Sequence, residues 1–368
     1  MVVGNKRKII LLCSFILILA HIPAFASGRD EIVFEHLSLE KGLSQTTVNA
    51  ILKDHRGYMW FGTDGGLNRY DGYTFRVFRH EPFSTTSLSN NIVTSLYEDA
   101  EGFLWVGTFG GGLNRFDPVT ETFRVYHYPP NSKTFPPIDL ISKVIGDKKG
   151  NIWVGTFQKG LARFNPSNNT WSIFKSDDES GLGGNKITAF FVDTTGTLWV
   201  GTDGGLSEYK GNDIFQTYRP TVFPYVAITA ITDGRKGNLW IGTESGQLYL
   251  LHTREKWFEY IPLVDENNRV VSSSTITGLY QDIFEDLWIV TDGGGLLRYD
   301  RGTKQVLTYQ IERDNPHSLR DNKIRAIYGD RKDTIFLGDL TGIVWLGTHS
   351  GGVEKFHLKR PFQRYNGK

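Results

Sequence analysis

The residues able to do chemistry in this chain are many, but none stands in a reacting arrangement. Eight histidines lie beyond the first thirty residues: His36, His55, His80, His127, His252, His317, His349 and His357. None falls at His-x-His or His-Glu-x-x-His spacing, so no metal centre is expected. There is no Gly-x-Ser-x-Gly elbow, no phosphate-cradling glycine loop opening a helix and no EF-hand loop, so no catalytic residue and no cofactor is expected either. The single cysteine, Cys13, sits in an amino-terminal apolar run, which removes thiolate nucleophiles, disulfides and Cys-ligated metals from consideration. What remains is recognition. Phe109, Phe157, Gln158, Lys159, Asp203, Glu244, Asp292 and His349 are variable positions within an otherwise repeated phrase, and they are the candidate ligand-binding residues. Aromatic rings at 109 and 157 suit stacking, while the polar groups suit hydrogen bonding.

That phrase sets where these residues must stand. It reads Met59-Trp60-Phe61-Gly62-Thr63, then recurs around Trp105, Trp153, Trp199, Trp240, Trp288 and Trp345, with Val290 replacing the glycine in the sixth copy. The Trp-to-Trp steps are 45, 48, 46, 41, 48 and 57 residues, a period that fits a four-stranded propeller blade and exceeds most helical repeats. Within a unit the pattern alternates with period two, and Asp-Gly pairs such as Asp64-Gly65, Asp203-Gly204 and Asp292-Gly293 mark tight hairpins. The expected fold is all-β, a seven-bladed β-propeller of four-stranded antiparallel blades over residues 27–368. One blade cannot bury both of its faces, so each depends on its neighbours, and a Trp in every unit reads as the wedge between blades. The outer-strand sequence Ile32–Leu37 precedes any inner strand, so it is expected to complete the last blade. Pro361–Tyr365 competes for the same slot. The fifth unit lacks the Asn-Arg-Tyr-Asp ending, and Thr334–Ile343 inserts extra residues before the last Trp.

In such a blade the turn between strands two and three shares a face with the inter-blade connections. The candidate residues and Asp64 occupy that turn. The connections add Phe83, Phe135, Phe223, Tyr225 and Asn267. The structural alternative for each is plain: Asp64, Asp203 and Asp292 are ordinary turn formers, and the phenylalanines cap the core between blades.

The first 26 residues read as a signal peptide, with Lys6-Arg7-Lys8, an apolar run from Ile9 to Ala20 and Ala24-Phe25-Ala26 before the cut. Export to the periplasm or the extracytoplasmic face of a bacterial envelope is expected, with no membrane span in the mature chain. With 41 Lys+Arg against 40 Asp+Glu the formal net charge is +1. Losing three basic residues and no acids with the leader makes it −2. That balance gives no nucleic-acid partner.

Trp-x-Gly-Thr followed by Gly65-Gly66-Leu67-Asn68-Arg69-Tyr70-Asp71, and its counterpart Gly111–Asp117, closely resembles the two-component regulator propeller repeat, as does Phe34-Glu35-His36-Leu37-Ser38 with Gly42-Leu43-Ser44. The resemblance implies an extracytoplasmic ligand-sensing propeller, non-catalytic, the input region of a histidine kinase or hybrid sensor, with a small molecule or oligosaccharide as ligand and a sensor kinase or a second copy as partner. No kinase follows in this chain. Two alternatives stand beside it. One is a propeller enzyme of the lyase type, with His349 and Glu244 or Lys159 as first suspects. The other is a structural envelope scaffold.

Overall fold

The computed structural model describes residues 32–127, 140–220, 226–271, 273–329 and 342–358. The leader with Cys13, the loop aromatics Phe135, Phe223 and Tyr225, the insert over 334–341 and the segment Pro361–Tyr365 lie outside these residues. Twenty-eight strands assemble into seven four-stranded sheets, each antiparallel. Blade 1 is Val48–Lys53, Met59–Thr63, Gly66–Tyr70 and Phe75–Phe78. The innermost strands of blades 2 to 7 are Val93–Glu98, Ile141–Gly146, Ile187–Val192, Ile228–Asp233, Ile276–Gln281 and Ile324–Gly329. Each innermost strand touches that of the blade before and after it, and the seventh touches the first, so the ring is closed.

Each letter of the repeated phrase has its own physical task. The Trp strands are buried along their whole length. The seven indoles fall in seven separate apolar clusters, one per blade interface. Trp60 packs with Leu104, Val106 and Phe116 of blade 2, Trp153 with Leu198, Val200 and Phe215 of blade 4, and Trp345 with Val48, Met59 and Phe61 of blade 1. The glycine is where two blades come closest: a Cβ on Gly107 would stand 2.6 Å from Ile141 Cγ2, and one on Gly155 would stand 2.5 Å from Ile187 Cγ2. Blade 6 carries Val290 there, and its cross-strand partner is Gly278, where five other blades have Ala or Ser. The side-chain volume has moved across the strand pair, which keeps the local packing filled. The threonine is buried in all seven blades, and its hydroxyl donates to a carbonyl at the far end of the turn between strands two and three, as in Thr63 to Gly66 at 2.9 Å and Thr348 to Gly352 at 2.9 Å.

The indole N–H also needs a partner, and an aspartate six residues upstream supplies it. Asp54 Oδ2 accepts from Trp60 Nε1 at 2.8 Å while its Oδ1 accepts from the backbone N–H groups of Arg56 and Tyr58 at 3.0 and 2.9 Å. One carboxylate therefore closes the first hairpin turn and anchors the wedge. Asp99, Asp147, Asp193 and Asp282 do the same for Trp105, Trp153, Trp199 and Trp288. Blade 5 has Gly234 in this position, with the same backbone bond to residue 238. Its turn is deformed, with Lys236 at φ 58°, and the buried Trp240 Nε1 finds no acceptor. A buried unsatisfied donor costs on the order of 1–3 kcal/mol. Gly234→Asp is accordingly expected to stabilise the protein by about 1–2 kcal/mol, read as a melting temperature roughly 2–4 °C higher. A drop in melting temperature would mean that the 3.2 Å approach of the new Cβ to the Asn238 carbonyl outweighs the gain.

Closure follows the expected scheme. Glu35–Leu37 pairs antiparallel with Val353–His357 and becomes the outer strand of the last blade. Phe34 and Leu37 are buried there, and Phe34 meets Phe356 edge to face at 5.3 Å. His36 is gripped from both sides: Nδ1 lies 2.6 Å from Oε2 of the buried Glu354, and Nε2 lies 2.9 Å from the Pro316 carbonyl. Both partners accept only, so the ring donates from both nitrogens and is an imidazolium. The hydrogen bond to Glu354 holds its pKa above the ordinary histidine value.

Candidate functional site: the mouth of the central channel

The turn between strands two and three begins at the residue after each Thr. In every blade that residue's N–H donates to the carbonyl just before the innermost strand: Asp64 to Thr47, Phe109 to Ile92, Phe157 to Leu140, Asp203 to Lys186, Glu244 to Ala227, Asp292 to Thr275 and His349 to Lys323. These seven variable positions therefore form one ring of equivalent sites around the channel mouth. The buried threonine and the backbone fix the ring, so its side chains are free to differ.

Phe109 and Phe157 stand on adjacent blades with ring centroids 5.3 Å apart and planes at 77°. They meet edge to face, and Phe109 is 41% exposed. The pair thus presents an angled aromatic surface, while the buried share of Phe157 serves the interface beneath. Gln158 and Lys159 are exposed one step farther out on the blade 3 turn. Asp203 is exposed, and its Oδ1 accepts from the Lys186 N–H at 3.2 Å, which is turn-forming work. Glu244 pairs with Lys186 at 3.5 Å across the blade 4–5 interface. Asp292 is exposed and bridges to Lys323 through the backbone. Of the connection residues within the described chain, Phe83 and Asn267 are both exposed.

His349 anchors a polar chain that sequence reading missed. Its Nδ1 lies 2.9 Å from Arg325 Nη2. A guanidinium only donates, so Nδ1 is the acceptor and the ring proton is on Nε2. Arg325 Nη1 donates to Asn49 Oδ1 at 2.9 Å, and Asn49 Nδ2 donates to Asp64 Oδ1 at 2.8 Å. Four side chains thus link the mouth across the seam between blades 7 and 1. Among the described contacts, this chain does not bring His349 to Glu244 or Lys159, the pairing a lyase-type site was expected to use.

Asn49 and Arg325 belong to a second ring just below the mouth. Every innermost strand has a register shift between its first and third residues, so the second residue is an extra one. Such a bulge swings the side chain off the normal alternation. In blades 2 to 6 the second residue is Thr94, Ser142, Thr188, Thr229 or Thr277, and its hydroxyl donates to the first carbonyl of the next blade, as in Thr94 to Ile141 at 2.7 Å and Ser142 to Ile187 at 2.6 Å. Asn49 Nδ2 does the same toward Val93 at 3.0 Å, and Arg325 completes the circle through Asn49. The signal was present in the sequence: the second residue after each inner-strand start is a hydroxyl in five blades.

The seven blades share one skeleton and differ at the solvent-facing mouth. The comparisons place the chain more closely. The model for the two component regulator propeller matches residues 42–65, 87–110 and 181–204, the turn-and-strand stretches of three of the seven repeats. A histidine kinase of Formosa agariphila is 48% identical over 251 residues, 66% of this chain and 18% of that protein. The chain therefore spans about a fifth of the curated relative it matches. Among solved structures, the extracellular domain assigned to a hybrid two component system of B. thetaiotaomicron superposes with TM-score 0.73 at 24% identity, over 89% of this chain and 42% of that one. Virginiamycin B lyase from Staphylococcus aureus superposes with TM-score 0.67 at 12% identity, over 89% of this chain and all of that one. At these identities both show the shared fold alone. Among the described residues no helix is long and apolar enough to cross a membrane, and no three His, Cys, Asp or Glu side chains gather as a metal site.

Proposed function

We propose that this chain is an extracytoplasmic ligand-sensing propeller, exported by the leader over residues 1–26 and acting without catalysis as the input region of a two-component sensor kinase. The single observation that supports it most is the mouth ring. Seven structurally equivalent turns carry four acids, two aromatics and a histidine on a scaffold whose other positions repeat. Variation confined to one rim is what selection for a ligand produces on a repeat fold. The angled Phe109–Phe157 pair beside Gln158 and Lys159 suits an oligosaccharide, whose rings stack on aromatic faces while hydroxyls bond to polar neighbours. Kinship with a histidine kinase supports the kinase as partner.

The test is calorimetric binding of an oligosaccharide panel to the wild-type chain, Phe157→Ala and Lys159→Ala. Loss of one stacking ring is expected to weaken binding by about tenfold, on the order of 1.4 kcal/mol. Unchanged affinity in both variants would move the site off this face.

A further inference from the structure

The channel below the mouth holds a charge that the mouth ring does not explain. The third residue of each innermost strand is Ala50, Ser95, Lys143, Ala189, Ala230, Gly278 or Ala326. Six of the seven are small, and the space they leave is a cavity of about 220 Å³ on the ring axis. Blade 3 lines this cavity through Lys143 alone, where each other blade contributes three residues. A lysine there puts an ammonium inside the barrel of sheets. Among the described residues Lys143 has no ion pair and no side-chain hydrogen bond. Lys143 is half-buried and lines the channel, and burial lowers its pKa. An enclosed cation without a counter-charge is costly, and a group that supplies the charge recovers that cost on binding.

We propose that Lys143 is the anion-binding residue of the central channel and takes the carboxylate end of a ligand that enters through the mouth. Three features select this chemistry. The cavity, about 220 Å³, has room for one small group and not for a chain of sugars. The threonine hydroxyls already donate to carbonyls of the next blade, so the donors left to a ligand are led by the Lys143 ammonium, with the uncommitted N–H groups of Arg325 beside it. The lining carries two cations, Lys143 and Arg325, and no carboxylate, so the charge missing from the cavity is negative. For an oligosaccharide ligand this group is a uronic acid residue, and in that form the inference rests on the reading of the mouth as the binding face.

The experiment uses the full chain and three probes: a neutral oligosaccharide, a uronate-ended oligosaccharide of equal length and free glucuronate. Each is titrated into the wild type, Lys143→Met and Phe157→Ala. The uronate-ended probe is expected to bind the wild type about tenfold more tightly than the neutral one, and Lys143→Met to erase that difference while keeping the neutral affinity. Lys143→Met should melt no lower than the wild type without ligand, since it removes an unpaired buried charge, and this checks that the variant folds. Equal preference for the uronate in wild type and Lys143→Met overturns the inference. Neutral probes bound through Phe157 with no gain from the carboxylate overturn it while leaving the mouth reading intact. Thermal stabilisation of the wild type and not of Lys143→Met by free glucuronate, with no oligosaccharide bound, supports the channel site and removes the mouth reading.

Discussion

A variant lacking residues 31–37 is expected to melt roughly 5–10 °C below the intact chain and to self-associate, because it loses about 4 kcal/mol of apolar burial at Phe34 and Leu37 and bares a strand edge. The strand is short, but it brings three links of the ring's closure: the ladder to Val353–His357, the Phe34–Phe356 contact and the His36–Glu354 bond. Differential scanning calorimetry with light scattering reads both effects, and an unchanged melting temperature with a monodisperse sample would refute them. The same seam carries a pH dependence whose sign is fixed. His36 has a folded pKa raised above its unfolded value of about 6.5. Its contribution is therefore complete below that unfolded value and is lost as pH rises through the folded one. Melting temperatures should fall as pH rises from below about 6.5 through the folded value, and His36→Gln should flatten the slope.

Trp153→Ala is expected to cost about 3–5 kcal/mol, the range for removing a large buried aromatic. Trp153 is fully buried and touches Phe174, Tyr209 and Phe215 of two blades, so neither blade can fill the void alone. A milder change separates packing from hydrogen bonding. Trp153→Phe takes the indole donor from Asp147 Oδ2 and leaves it only the Asn151 amide, whereas Trp240→Phe removes a donor that has no acceptor. The first should destabilise by on the order of 1–2 kcal/mol more than the second in chemical denaturation. Equal losses would show that the Asp–Trp bond contributes nothing beyond turn geometry.

The blades were legible because their determinants are local. Trp, Gly and Thr act within one strand and the turn that follows, so each copy announces itself. The ring of turn residues was legible for the same reason: position after the Thr fixes position in space. The aspartate six residues before the Trp was equally readable in six copies, and its absence at Gly234 foretells the orphaned Trp240. What the alternation of strand residues hides is the bulge. It adds one residue to every inner strand, so counting by twos misassigns the side chains at Asn49, Thr94 and Arg325. The Asp64–Asn49–Arg325–His349 chain is hidden differently, since it joins residues 276 positions apart that meet only once the ring is closed. Lys143 was readable only by aligning the copies against one another, where it stands alone among small residues.

The threonine-held turn separates two jobs that most binding proteins entangle. Its hydroxyl and backbone secure the loop, and the side chain that follows owes nothing to that support. Exchanging Glu244 or Asp292 for another residue leaves the skeleton's own bonds in place, so the rim can be rewritten one letter at a time. A lineage of such chains can vary that rim with foldability inherited intact.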